Sequence, residues 1–92
     1  MWYLYLIRCG DETLYTGITT DVERRFGEHQ NGGRRAAKYL RGRGPLELVA
    51  QVGVGERAQA ARLELRVKAL SRDEKERLVR DPARLVEMVE LL

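Results

Sequence analysis

Trp2-Tyr-Leu-Tyr-Leu-Ile-Arg-Cys9 and Thr13-Leu-Tyr-Thr-Gly-Ile18 are the stretches of sequence that decide the fold. The first has aromatic and aliphatic residues at both odd and even positions, which is typical of a central strand covered on both faces. Gly10-Asp-Glu12 lies between the two stretches and supplies turn-forming residues. The sequence therefore predicts a β-hairpin at the start of the chain.

The segments that follow the hairpin predict one helix, one loop and one more strand. Thr20-Asp-Val-Glu23 fits a capping box and Gly32 fits a helix stop, so we expect a helix of about three turns between them. Residues 30–46 are punctuated by glycine and predict a loop. Leu46 to Val52 predicts a third strand.

The C-terminal half predicts helices. Glu56 to Leu70 carries apolar residues at helical spacing: Ala60, Leu63, Val67 and Leu70. Ser71-x-x-Glu74 is a second capping box, and Asp81-Pro82 joins an N-cap residue to a proline at the first helical position, so two shorter helices extend to Leu92. We expect an α+β fold in which a small three-stranded antiparallel sheet is flanked by helices, in the order ββαβα plus C-terminal helices.

The composition excludes several classes of protein. A length of 92 residues suits a single domain, residues 1–92, because folding units usually have about 100–200 residues. No apolar stretch approaches the ~18–20 residues of a membrane span, and the start lacks the features of a signal peptide, so we expect a cytoplasmic protein without membrane contact. The single cysteine, Cys9, excludes an internal disulfide and a cysteine-rich zinc site.

Positive charge is concentrated in one segment. Residues 30–46 hold five basic residues and no acid, whereas the rest of the chain holds 12 basic and 14 acidic residues. We call this segment the basic loop; its cations are Arg34, Arg35, Lys38, Arg41 and Arg43. A solvated loop is one explanation, but like charges without a counter-charge favour a polyanionic partner.

A few residues could carry chemistry on a phosphodiester, although each also has a structural explanation. Tyr5, Tyr15 and Gly17 could serve as strand residues, and His29 as a partly buried polar residue. Spacing alone favours an i,i+4 ion pair for Glu64 with Lys68 and a solvated helix face for Arg24 and Arg25. Together, however, they are the groups that a metal-assisted nuclease requires: Tyr5, Tyr15, Arg25, His29 and Glu64.

The order and spacing of these residues resemble the GIY-YIG nuclease superfamily. Tyr5 precedes Tyr15-Thr-Gly17 by ten positions, Arg25 follows on the first helix, and Glu64 lies mid-helix after the third strand. The resemblance extends over the whole chain, which looks like the small stand-alone YhbQ-like bacterial branch. Tyr3-Leu-Tyr5 stands where the superfamily has Gly-Ile-Tyr, and Ile18 stands where the related UvrC nuclease domain has a lysine.

The resemblance implies roles for the individual residues. Glu64 would bind a divalent metal, Mg²⁺ or Mn²⁺, and Arg25 would stabilise charge on the phosphate in the transition state. Tyr5, Tyr15 and His29 are the candidates for activating or orienting the attacking water, and the sequence does not decide among them. Gly17 would leave room beside the site. The expected DNA contacts are Arg24, Arg34, Arg35, Lys38, Tyr39, Arg41, Arg43 and Lys68, with Tyr39 stacking on a base or ribose.

The function implied by the resemblance is that of a metal-dependent endonuclease that hydrolyses DNA phosphodiester bonds. Branched, flapped or damaged DNA are candidate substrates, and DNA repair or recombination is the candidate process. RNA stays open as a substrate, as does the choice between a monomer and a weak homodimer. The alternative function is a non-catalytic nucleic-acid-binding or scaffold module that retains the fold and the basic loop.

Overall fold

A computed structural model describes residues 1–92 and confirms the α+β architecture. The strands are β1 (Trp2–Arg8), β2 (Leu14–Thr19) and β3 (Glu47–Gly55). The helices are α1 (Val22–Asn31), α2 (Arg57–Lys68), α3 (Arg72–Arg80) and α4 (Pro82–Glu90). The strands form an antiparallel sheet in the order β2-β1-β3, and a short 3₁₀ turn, Lys38–Leu40, lies inside the basic loop.

The central strand β1 is covered on both faces, as its sequence predicts. One face packs on the three C-terminal helices; the residues of this core are Leu4, Leu6, Leu63, Val67, Leu78 and Leu85. The other face packs on α1 and the 3₁₀ turn; the residues of this second core are Tyr5, Ile7, Cys9, Val22 and Leu40. Because successive strand residues point to opposite faces, the same strand supplies both cores.

The signals at Gly32, Ser71 and Pro82 are confirmed, whereas α2 and α4 each end two residues earlier than predicted, at Lys68 and Glu90. Gly32 ends α1 with a left-handed backbone, φ 68°, and Ser71 and Glu74 form the capping box of α3. The predicted capping box at Thr20 is wrong. The carboxylate of Asp21 accepts the backbone N–H of Arg24 at 3.0 Å, so α1 begins one residue later than that box requires.

The third strand is longer than predicted. β3 continues to Gly55, because Gly53 pairs with Tyr3 and Gly55 pairs with Trp2 on β1. Glycine weakens a strand but does not prevent it from pairing, and the adjacent central strand supplies the hydrogen-bonding partner. None of the helices is long and apolar enough to cross a membrane.

A bidentate ion pair fixes α3 against the central strand. The guanidinium of Arg8 donates two hydrogen bonds of 2.8 Å to the carboxylate of Glu76, and the two side chains are only 23% and 22% exposed. The pair joins residues 68 positions apart in the chain. Hydrogen bonding to Arg8 lowers the pKa of Glu76, as expected for a carboxylate held by a fixed cation.

Glu76→Gln should therefore lower the free energy of unfolding by about 1 kcal/mol, because it removes the charge from a partly shielded bidentate pair. Chemical unfolding at neutral pH measures the change. Glu87→Gln is the matched control, since Glu87 is exposed and makes no ion pair. Equal unfolding midpoints for the two variants would contradict the role assigned to the Arg8–Glu76 pair.

Candidate active site

Three rings meet above the face of the sheet that packs on α1. Tyr5 lies on β1, Tyr15 on β2 and His29 on α1, and their ring centroids are 5.7 to 6.4 Å apart. Tyr5 and His29 are each only 2% exposed, whereas Tyr15 is partly exposed. The hairpin register and the helix thus bring together residues that the sequence predicts as site residues.

A chain of hydrogen bonds fixes the protonation of His29. The backbone N–H of Ala37 donates to Nδ1 at 3.1 Å, and Nε2 lies 2.9 Å from the Tyr5 hydroxyl. Since Nδ1 accepts a hydrogen bond, the neutral imidazole carries its proton on Nε2 and donates it to the Tyr5 oxygen. The Tyr5 hydroxyl therefore accepts from His29 and has its own proton available for another partner.

The close approach of β2 to Tyr5 requires the glycine at position 17. Gly17 pairs with Tyr5 across the hairpin. A Cβ atom at position 17 would lie 2.3 Å from the Tyr5 hydroxyl oxygen, well inside contact distance. The glycine is therefore needed for space at the Tyr5 hydroxyl.

Burial shifts the pKa of each ring in the cluster. Burial, followed by the interaction with Tyr15, raises the pKa of Tyr5 to about 12, although Arg25 acts in the opposite direction. Burial also raises the pKa of Tyr15. Burial and the nearby Arg25 guanidinium lower the pKa of His29 to about 4. At neutral pH the cluster therefore consists of neutral hydrogen-bonding groups.

Arg25 is held in place by α1 and the basic loop. Its guanidinium lies 3.1 Å from the carboxylate of Glu28 and donates to the backbone carbonyl of Arg35. The hydrogen bond from Arg25 lowers the pKa of Glu28, so this carboxylate stays charged. Sequence reasoning missed Glu28, although its i,i+3 spacing from Arg25 could have indicated the contact. The neighbouring Arg24 is exposed and makes no ion pair, as expected from its position on the helix.

Glu64 lies on α2 with its carboxylate 22% exposed. The predicted i,i+4 pair is present, because Lys68 Nζ is 3.5 Å from Glu64 Oε2. Glu64 is also among the groups that raise the pKa of Tyr15, after burial. The ion pair and a place near the phenols are therefore compatible.

Two of the five cations in the basic loop form ion pairs with acids outside the loop. Arg43 pairs with Asp11 at 2.5 Å, and Arg35 pairs with Glu28 at 3.5 Å, so acids from other segments supply counter-charges. The three remaining cations of the loop, Arg34, Lys38 and Arg41, have no carboxylate partner. Arg41 donates only to the carbonyls of Gly33 and Arg34, each at 3.4 Å. The expectation of five uncompensated charges is wrong for Arg35 and Arg43.

Tyr39 is stacked within the protein. Its ring lies 5.8 Å from that of Tyr15 at an interplanar angle of 26°, and the Arg43 guanidinium lies 4.2 Å from its centroid on the ring face. Tyr15 and Arg43 thus both contact the ring, while Tyr39 is 41% exposed overall. The predicted stacking of Tyr39 on a base would require Arg43 to move.

Comparison with known proteins identifies this arrangement. The GIY-YIG catalytic domain matches residues 1–77. The chain belongs to the GIY-YIG family. It is 54% identical to the UPF0213 protein YhbQ of Escherichia coli K12 over 99% of this chain and 89% of that protein. A protein of the same name from Shigella boydii is 53% identical over the same shares.

A solved structure supports the fold. The solution NMR structure of the UPF0213 protein BH0048 from Bacillus halodurans is 49% identical and has a TM-score of 0.54. The likeness covers 86% of this chain and 83% of that one. Membership of the GIY-YIG family implies a nuclease-type function with a nucleic-acid substrate, and nucleases of this family generally use divalent metals.

Glu64 is the candidate ligand for a divalent metal in this GIY-YIG protein. Glu64 is a single, partly exposed carboxylate, and no three His, Cys, Asp or Glu side chains gather into one cluster. Mg²⁺ is commonly bound through one or two carboxylates, while waters and substrate phosphates fill the other positions. Glu64 fits that mode of binding, in which the nucleic acid completes the coordination.

Gly17→Ala should displace the Tyr5 hydroxyl from His29 and lower the free energy of unfolding by about 1–3 kcal/mol, because neither the buried ring nor the paired strand can move away freely. Chemical unfolding measures the change. Gly27→Ala is the control, since an added Cβ there meets nothing within 4 Å and alanine is favourable in a helix. Equal stability of the two variants would show that the contact at Gly17 is relieved without cost.

Folding stability should also depend on the protonation of His29. Below pH about 6.5 the unfolded chain binds a proton at this residue, whereas the folded chain, with a pKa of about 4, does not. The stabilisation should be complete above pH about 6.5 and decrease toward pH about 4, by at most about 3 kcal/mol. His29→Gln should flatten this slope, as measured by guanidinium unfolding at several pH values.

The effect of His29 is best measured between about pH 5 and 6.5. Carboxylates whose pKa is lowered, such as Glu28, reduce the free energy of unfolding only below about pH 4.5. Parallel pH dependence of the wild type and His29→Gln in that window would contradict a buried neutral histidine.

Proposed function

We propose that this protein is a divalent-metal-dependent endonuclease that hydrolyses DNA phosphodiester bonds. The observation that carries the proposal is the hydrogen bond between the buried Tyr5 hydroxyl and His29 Nε2, with Tyr15 in contact and Arg25 beside it. Polar rings are expensive to bury, and apolar residues would fill the same space at lower cost. A module that only binds DNA does not require this cluster.

In the proposed mechanism Arg25 binds a non-bridging oxygen of the scissile phosphate. Glu28 and the Arg35 carbonyl hold the guanidinium in one orientation, so the cation need not be ordered when the substrate binds. The fork of an arginine can donate two hydrogen bonds to a phosphate as negative charge shifts during bond breaking. Arg25 would then exchange part of its contact with Glu28 for the phosphate.

His29 acts as a positioning residue and not as the base. It is buried, its Nδ1 is occupied by the Ala37 N–H, and its pKa of about 4 leaves it neutral. It donates through Nε2 to Tyr5 and so directs the Tyr5 proton toward the substrate side. With a pKa near 12, Tyr5 is protonated at neutral pH and orients an oxygen of the water or phosphate.

Tyr15 is the phenol with access to solvent and is the candidate to contact the attacking water. Its pKa is raised by burial, so it needs a nearby cation before it can take a proton. A divalent ion held by Glu64 would neutralise phosphate charge and lower the pKa of a bound water. Hydrolysis adds water across one P–O bond and leaves a phosphomonoester and a free hydroxyl.

Other finer assignments stay predictions. They are the preference for branched or flapped DNA, a role in DNA repair, the cytoplasmic location, and the choice between a monomer and a weak homodimer. The basic loop supports a backbone-directed mode of binding, because Arg34, Lys38 and Arg41 have no carboxylate partner, and such contacts position a strand without reading its sequence.

Arg25→Ala and Glu64→Gln should each reduce cleavage by about 100-fold or more, because each removes a group that acts on the transition-state charge. The measurement is cleavage of labelled single-stranded, duplex, flap and branched DNA and of single-stranded RNA, with Mg²⁺, Mn²⁺ or chelator. Arg24→Ala is the matched control, since Arg24 is adjacent, exposed and unpaired; it should keep the cleavage rate of the bound complex.

Nucleic-acid binding is measured on the same variants. Metal-dependent cleavage that both variants lose, with binding retained, supports the endonuclease. Binding without cleavage under any metal condition would contradict it and leave a binding module. Cleavage of RNA alone would overturn the assignment of DNA as the substrate.

A further inference from the structure

A cavity lies at the start of β2, next to the cluster formed by the rings of Tyr5, Tyr15 and His29. It has a volume of about 220 Å³ and is open to solvent. Its lining residues come from three separate segments: Thr13 and Leu14 of the hairpin, Tyr39 of the basic loop, and Arg72 and Lys75 of α3. Tyr39 belongs to both places, because it also stacks on Tyr15. Only the Tyr39 ring therefore separates the cavity from Tyr15 in the proposed reaction centre.

Two cations line the cavity, and neither has a carboxylate within ion-pair distance, although the charge of Arg72 also acts on the nearby Glu76. Arg72 and Lys75 are three residues apart on the first turn of α3, so they lie on the same side of the helix. Neither is in an ion pair; Arg72 donates only to the backbone carbonyl of Glu12, at 3.4 Å. Of the acids in the same turn, Glu74 is hydrogen-bonded to the backbone of Ser71. The Arg8–Glu76 pair holds this helix against β1, so the backbone that carries Arg72 and Lys75 is fixed beside the cavity.

We propose that this cavity is a subsite for a backbone phosphate of the nucleic-acid strand, next to the phosphate that is cut. The inference rests on the proposed function and adds α3 to the surface that binds the substrate. Two neighbouring cations that form no ion pair suit a phosphodiester anion. Tyr39 lines the same cavity and is 41% exposed, so part of its side chain is available to contact the strand.

The subsite predicts the path of the bound strand over the surface of the protein. β2 is an edge strand, with the basic loop on one side and α3 on the other. A strand that contacts Arg34, Lys38 or Arg41 and also Arg72 would pass over Tyr15 at the edge of the sheet. The scissile phosphate would then lie between two groups of cations.

The test compares two double variants of the same helix. Arg72→Gln with Lys75→Gln removes the subsite cations, and Arg77→Gln with Arg80→Gln removes equal charge from the last turn of α3. Binding of a short fluorescent single-stranded DNA is measured by anisotropy, with chelator present so that the probe stays intact. The first variant should bind about tenfold more weakly and show a salt slope reduced by about 1, and the second should change by less than about twofold.

A scan with methylphosphonates locates the contact. Each phosphate of the probe is replaced in turn by a neutral methylphosphonate. At one position the replacement should weaken binding to the wild type but cause no further loss in the Arg72/Lys75 variant. Equal losses for both double variants, or no position at which the two changes are non-additive, would overturn the subsite.

The readout does not depend on cleavage. Loss of binding in the Arg72/Lys75 variant without any nuclease activity would support the subsite and reject the endonuclease. Cleavage and binding that are both unaffected by the variant would reject the subsite and leave the endonuclease standing.

Discussion

The buried hydrogen bond between the Tyr5 hydroxyl and His29 Nε2 joins the central strand to α1, and the rest of the site depends on it. It requires a glycine at position 17, since any side chain there would occupy the place of the hydroxyl. It also requires the basic loop to return to α1, so that the Ala37 N–H can occupy Nδ1 and leave the proton on Nε2. Sheet, helix and loop are thus linked through one imidazole, and every buried polar side-chain atom has a partner.

The cations around the ring cluster and in the basic loop fall into two groups, those paired with a carboxylate and those that are not. Arg25 and Arg43 are each fixed by a carboxylate, Glu28 and Asp11. Such pairs contribute little to stability at a surface, but they reduce the entropy that is lost when a guanidinium must bind a phosphate. Arg34, Lys38 and Arg41 lack carboxylate partners, so under the proposed function they would contact the phosphates of a bound strand. The net charge alone does not reveal this division.

Local signals in the sequence predicted the fold well, whereas contacts between distant segments could not be predicted. The apolar residues on both faces of Trp2–Arg8, the stop at Gly32 and the capping box at Ser71 are local patterns, and the structure confirms them. Thr20 and Asp21 are both good capping residues. The path of the chain from the hairpin into α1 makes Asp21 the N-cap. The tautomer of His29 and the pairing of Arg43 with Asp11 depend on where the loop returns, which no local pattern specifies.

The long-range pair of Arg8 and Glu76 fixes a C-terminal helix on the sheet through one polar contact. A bidentate pair fixes the orientation of α3 as well as its distance from β1. The first turn of α3 is thereby held beside β2, where Arg72 and Lys75 face the open side of Tyr39. The basic loop reaches the same edge strand from the opposite face of the sheet through Tyr39 and Tyr15. Because β2 has no further strand beside it, this edge of the sheet is accessible, and Tyr15 lies on it.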